Sequence, residues 1–175
     1  MTIEFPPDPA NFLWERLSEQ DRHTLRPFTE RAPVPIGAVA DAFGIEVISL
    51  TLPSDISGLI KELSPATRNY QIQVNNTDAA VRQRFTVAHE IAHYLLHRSS
   101  IGTDGITDSI LYRSKLSDRV EAEANRLAAA ILLPWNKVQT WHWERFSCTP
   151  EADHIEDIAV AFKVSALAVG FRFGF

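Results

Sequence analysis

Hydrophobic positions recur along the chain with two different periods, and the switches between them outline its elements. From residue 85 to 97 the apolar residues Val87, Ala88, Ile91, Ala92, Leu95 and Leu96 are spaced by one, three and four. That is the stripe of a helix with a wide buried face, and no Pro or Gly interrupts it. A second helical stripe over 117–133 is stopped by Pro134, with Ala124, Ala128, Ile131 and Leu132 on its inner face. Ser117 suits its N-cap and Asp118 the positive end of its dipole. Residues 69–75 alternate strictly, Tyr70, Ile72 and Val74 on one side and Gln71 and Gln73 on the other, as in a half-buried strand. Residues 45–50 and 57–63 read as two further strands. Residues 35–44 read as a helix closed by Gly44. Short connections between the strands imply a small, largely antiparallel sheet beside the helix of residues 85–97, an α+β arrangement.

The ends follow other rules. Residues 1–34 form an N-terminal extension broken by Pro6, Pro7, Pro9, Pro27 and Pro33, with one short helical segment over 11–25 that Trp14 and Leu17 could anchor. The main domain runs over 35–146. Trp135, Trp141 and Trp143 near its end read as core or as a partner surface, and the aromatics from Trp135 to Trp143 are the candidate for docking a substrate. Residues 147–175 form a C-terminal helical lobe packed on the same domain, a helix, a tight turn at Val164–Ser165 and a helix. The pattern resembles a helix-turn-helix. However, Glu151, Asp153, Glu156 and Asp157 oppose only Lys163 and Arg172 there, so the lobe reads as packing and not as a DNA-binding unit.

Composition narrows the class. The 175 residues are 45% hydrophobic and 22% charged, the balance of an ordinary globular protein. The net charge of −5 argues against a grip on nucleic-acid phosphates. No window reaches the length of a membrane span, and the first residues carry neither a basic nor an apolar run, so no signal peptide is expected and the protein reads as cytoplasmic. The single cysteine, Cys148, excludes an internal disulfide and suits a reducing compartment. Alone it cannot build a thiolate zinc site, and its context supports a structural role over a catalytic one.

Candidate chemistry concentrates in His89-Glu90-Ile91-Ala92-His93, an H-E-x-x-H motif. His89 and His93 lie one turn apart on one helix face, a spacing that lets two imidazoles share a tetrahedral zinc at about 2.0–2.1 Å. Glu90 is turned about 100° from His89 and can take a proton from an activated water instead of ligating. The five residues alone also fit a helix with two satisfied histidines. Catalytic zinc takes three protein ligands and keeps one position for water. The H-E-x-x-H-x-x-G-x-x-H pattern does not apply, since Leu96 and Ser99 stand where it needs Gly and His. His97 lies eight residues from His89, about 12 Å along the axis, and reads as a helix-end histidine. On the next helix, Glu121 shares the inner face with Ala124, Ala128, Ile131 and Leu132. A carboxylate there fits a ligand pointing into a site. The alternative is a solvated glutamate, the reading given to Glu123.

Arg84 through His93, followed by Glu121-Ala122-Glu123-Ala124-Asn125-Arg126-Leu127-Ala128-Ala129 and Ile131-Leu132-Leu133-Pro134, resembles the ImmA/IrrE family of bacterial and phage metallopeptidases. The likeness extends from about residue 35 to the C-terminus. It implies a gluzincin-like zinc hydrolase with His89, His93 and Glu121 as ligands to one Zn2+ and Glu90 as general base. Asn125 would then be a residue steadying a ligand. Leu127 replaces an aromatic of the family pattern. The resemblance further implies a helix-turn-helix (XRE-type) repressor as substrate, whose cleavage releases stress, phage or mobile-element genes. A competing class keeps the fold and the metal but acts by binding, as a toxin or as the regulatory partner of a toxin–antitoxin-like pair.

Several other positions are candidates for contact with substrate. Arg82 could meet a substrate carboxylate or a neighbouring acid, while Arg84 reads as structural. The polar loop over 99–116 lies between the two metal helices and is expected to rim the cleft. Tyr112 within it, Tyr94 and His142 are each possible donors to the oxyanion. A peptide substrate could extend the sheet along residues 70–75.

Overall fold

The computed structural model describes residues 6–104, 106–107, 115–148 and 150–174. The alternation of residues 69–75 becomes strand β3 (Asn69–Asn75), whose Tyr70, Ile72 and Val74 are buried. Strand β1 (Ile45–Leu50) lies parallel to it on one side and β2 (Gly58–Ser64) antiparallel on the other. Val47, Ile72 and Ile60 thereby form one row across the sheet. The two-residue β4 (Ile106–Thr107) continues beyond β2, so the order is β1-β3-β2-β4.

The sheet is largely antiparallel, as expected, with one parallel pairing, because the connection from β1 to β2 does not turn back tightly but leaves a slot that β3 fills. β3 is therefore paired on both sides and offers no edge to a peptide, which corrects the expectation that residues 70–75 could take on a peptide strand. Asn75 holds the connection in place. It is 1% exposed, its Nδ2 lies 2.9–3.3 Å from the carbonyls of Leu52, Pro53 and Ile56, and its Oδ1 accepts from Thr77 Oγ1 at 2.8 Å. A buried amide needs such partners, and this one finds them in the loop between β1 and β2.

Helix α1 (Asn11–Trp14) and helix α2 (Glu19–Thr29) replace the single segment expected over 11–25. The break falls at Ser18, whose Oγ accepts from the Asp21 N–H at 3.0 Å and so starts a new helix. Helix α3 (Ile36–Ala42) ends before Gly44, at φ +69°, as the sequence predicts.

Helix α4 (Ala80–His97) packs on α3, β2, β3 and α5 (Lys115–Leu132). Its approach to the sheet is closest at Gly58, where a Cβ would lie 2.4 Å from Thr86 Cγ2 and 2.7 Å from the Gln73 carbonyl oxygen. Only glycine admits that contact. Ala88 and Ala92 of α4 and Ala124 and Ala128 of α5 are fully buried, small residues that let the two helices meet closely.

Helices α6 (Trp135–Phe146), α7 (Ile155–Phe162) and α8 (Ala166–Phe173) follow, α8 packing on both α7 and α5. Trp141 meets Phe162 edge-on at 5.9 Å and lies against the core, while Trp135 stacks on Phe173 at 5.2 Å and donates its indole N–H to the Pro6 carbonyl. Both tryptophans make contacts within the chain, and both stay half-buried. Arg172, 4% exposed, ties three segments together: its Nε donates to the Leu133 carbonyl at 2.9 Å and its two terminal nitrogens to the Asp8 carboxylate at 2.6 and 2.8 Å. Arg84 likewise joins the Val34 and Lys163 carbonyls at 3.0 and 3.1 Å, the structural role expected of it.

Candidate metal centre

The inner face of α4 sets His89, Glu90 and His93 deep in the fold, at 7%, 1% and 0% exposure. Their helix packs on α5, and the pairing brings Glu121 to the two imidazoles. His89 Nε2 and His93 Nε2 are 2.9 Å apart. Glu121 Oε2 lies 3.1 Å from His89 Nε2, and Oε1 lies 3.3 Å from His93 Nε2. Three donors at about 2.05 Å from a tetrahedral cation would stand about 3.3 Å from one another. The observed triangle is slightly tighter than that and of the right kind.

Asn125, one turn beyond Glu121, has its Oδ1 3.0 Å from His89 Nδ1. An amide oxygen accepts, so Nδ1 carries the hydrogen and Nε2 presents its lone pair toward Glu121. Glu121 Oε1 is buried with no hydrogen-bond partner among the described residues, although an imidazole nitrogen is 3.3 Å away. A cation among these donors resolves that arrangement, so the residues fit a metal. Burial pushes the Glu121 carboxyl upward, but the two imidazoles beside it outweigh that and bring it down to about 2. The group is thus an anion across the physiological range.

Other candidates separate from this cluster. His97 stands outside the triad, one turn beyond His93 and 3.8 Å from Glu123. Glu123, read from the sequence as solvated, is 8% exposed and pairs with Arg16 and Arg119 at 2.9 Å. The correction follows from α5 being covered on that face by the N-terminal segment. Arg82 donates to Ser57 Oγ at 2.9 Å and pairs with Asp78 at 3.3 Å, the neighbouring-acid alternative. Tyr94 packs its ring on Tyr70 and Phe43 and under Arg98. His142 is fully buried and donates to the Cys148 carbonyl, with burial holding its imidazole below the usual range. It groups with Cys148 and His154 and not with His89, which corrects it as an oxyanion donor. Tyr112 lies outside the described residues.

The grouping of His142, Cys148 and His154 was missed by the sequence reading. The only signal was the equal spacing of six residues on either side of Cys148, which has meaning only once a helix end folds the segment back.

A profile of the peptidase M78 family, described as the IrrE N-terminal-like domain, matches residues 40–173. A search of curated proteins found no match. Among solved structures, a "Mycobacterium tuberculosis transcriptional regulator" aligns at 20% identity with a TM-score of 0.55, over 93% of this chain and 50% of that one. The chain thus spans half the length of that relative, and the likeness concerns the fold. The profile match covers the sheet, both helices that carry the histidine–glutamate cluster, and the C-terminal helices; the chain belongs to the peptidase M78 family of IrrE N-terminal-like domains.

Proposed function

We propose that this chain is a cytoplasmic zinc-dependent endopeptidase that cuts one protein partner, a helix-turn-helix repressor. The observation that carries the reading is the triangle of His89, His93 and Glu121 donor atoms at 2.9–3.3 Å, with Asn125 fixing the tautomer of His89. These three side chains would hold the ion. Zinc bound by such donors supplies Lewis acidity, polarising a carbonyl and lowering the pKa of a coordinated water to about 7. Glu90, buried beside His89, receives the proton of the attacking water and delivers it to the leaving amine. Glu121, held as an anion, would offset half the charge of a divalent ion.

The test uses the purified chain, its elemental zinc content and, as substrate, a helix-turn-helix repressor encoded beside it. One zinc per chain should be present and be lost in Glu121→Ala and His93→Ala. Glu90→Gln should keep zinc and fold yet stop cleavage, because an amide cannot accept the water's proton. Cleavage by Glu90→Gln at the parent's rate removes Glu90 as the base. A cellular effect that survives in Glu90→Gln favours the binding-partner class over proteolysis.

A further inference from the structure

Helix α6 ends in a turn that folds back on it. Ser147 takes a left-handed conformation at φ +57° and donates its N–H to the Trp143 carbonyl at 2.8 Å. The chain then returns so that the Cys148 carbonyl lies 2.9 Å from His142 Nδ1. A carbonyl only accepts, so Nδ1 carries the hydrogen and Nε2 is bare. His142 is 0% exposed, and that Nε2 has no hydrogen-bond partner among the described residues. A short 3-10 turn, Ala152–His154, leads into α7 and sets the His154 ring 4.5 Å from that of His142. His154 Nδ1 is also buried without a hydrogen-bond partner among the described residues. One nitrogen of each imidazole and the Cys148 sulfur lie within 4.8 Å of one another.

We propose that His142, Cys148 and His154 form a second metal site, for a thiophilic cation of the zinc class, where α6 meets α7. A histidine that gives its N–H to a backbone carbonyl and keeps its other nitrogen bare is in the state of a metal-bound imidazole. Two imidazoles and one thiolate are donors zinc accepts, with a fourth position left for water. Phe146 packs against both rings, at 4.7 and 4.4 Å, but aromatic packing gives neither nitrogen a hydrogen-bond partner among the described residues. Glu151, Asp153, Glu156 and Asp157 make the surrounding segment negative, which favours a cation. Cys148 by itself builds no such site; the fold supplies the two imidazoles. Donors around a tetrahedral zinc stand roughly 3.5 Å apart, so binding draws the three side chains together and fastens the start of α7 to the end of α6. The site is independent of the cluster at His89.

Cobalt distinguishes the two sites. Cys148 is the only cysteine, so a thiolate-to-cobalt charge-transfer band can arise nowhere else in the chain. Titration of the reduced, metal-free full chain with Co2+ should produce that band, saturating at one ion per thiol and bleached by Zn2+. Cys148→Ser should abolish it and His89→Ala should leave it unchanged. His154→Gln should weaken the cobalt affinity of the band about tenfold or more. His154 is the informative imidazole because it is half-buried and its loss does not open the core. Absence of the band in the reduced parent chain overturns the proposal. So does a band of parental affinity in His154→Gln. Neither result touches the His89 cluster, whose cobalt spectrum contains no sulfur transition.

Discussion

Replacing Asn125 with Leu tests how the fold prepares His89. The substitution keeps the bulk of the side chain and removes the Oδ1 that lies 3.0 Å from His89 Nδ1. The imidazole then either retains a buried N–H that has lost this acceptor, or shifts the hydrogen to Nε2 and can no longer present a lone pair there. A buried donor that loses its partner costs about 1–3 kcal/mol. At about 1.4 kcal/mol per decade this is a fivefold to 150-fold change in an equilibrium, and loss of outer-sphere partners typically weakens metal binding by about 10–100-fold. Zinc affinity, measured by competition with a chromophoric chelator at constant pH, should fall by that factor. Asn125→Asp keeps an acceptor in place and should bind zinc at least as well as the parent. Zinc binding within about twofold of the parent in Asn125→Leu would refute the tautomer argument. Equal losses in the Leu and Asp variants would assign the effect to packing instead.

Gly58→Ala places a Cβ against Thr86 and a backbone carbonyl that cannot swing aside, and should cost about 1–3 kcal/mol. Thermal denaturation should show a drop of roughly 2–4 °C for each kcal/mol; an unchanged midpoint means α4 can lift off the sheet freely. Arg172→Met leaves the Asp8 carboxylate without its two bonds and the Leu133 carbonyl without a donor, so a loss of about 3–5 kcal/mol is expected in urea titrations. Burial, aided by His93, lowers the His97 imidazole against an opposing pull from Glu123. Its unfolded value is near 6.5, so unfolding takes up a proton below that pH, and stability present above about 6.5 declines as the pH falls toward the folded value. In the metal-free chain, His97→Gln should flatten the dependence of the urea midpoint between pH 7 and lower values; identical slopes would exclude His97 as a contributor.

Local periodicity determined much of what surrounds the metal cluster. The alternation of residues 69–75 and the stripe around His89 each depend on neighbours within a few positions, so β3 and α4 were legible at once. The same holds for Gly44, which closes α3, and for His89 and His93, whose shared face follows from helix geometry alone. Glu121 stood out because a carboxylate on an otherwise apolar helix face is costly unless it meets something. What came from the tertiary structure depended on non-local contact. Parallel pairing of β1 with β3 is decided by where residues 51–57 cross, and Asn75 holds that crossing through partners 19–23 positions away. Glu123 is two residues from Glu121 and looks no different in sequence, yet Arg16, from the far N-terminal segment, covers it. His142 and Cys148 each look like isolated residues, and only the left-handed turn at Ser147 brings one back upon the other. Periodicity reports which face of an element is buried; it carries no information about which distant segment does the burying.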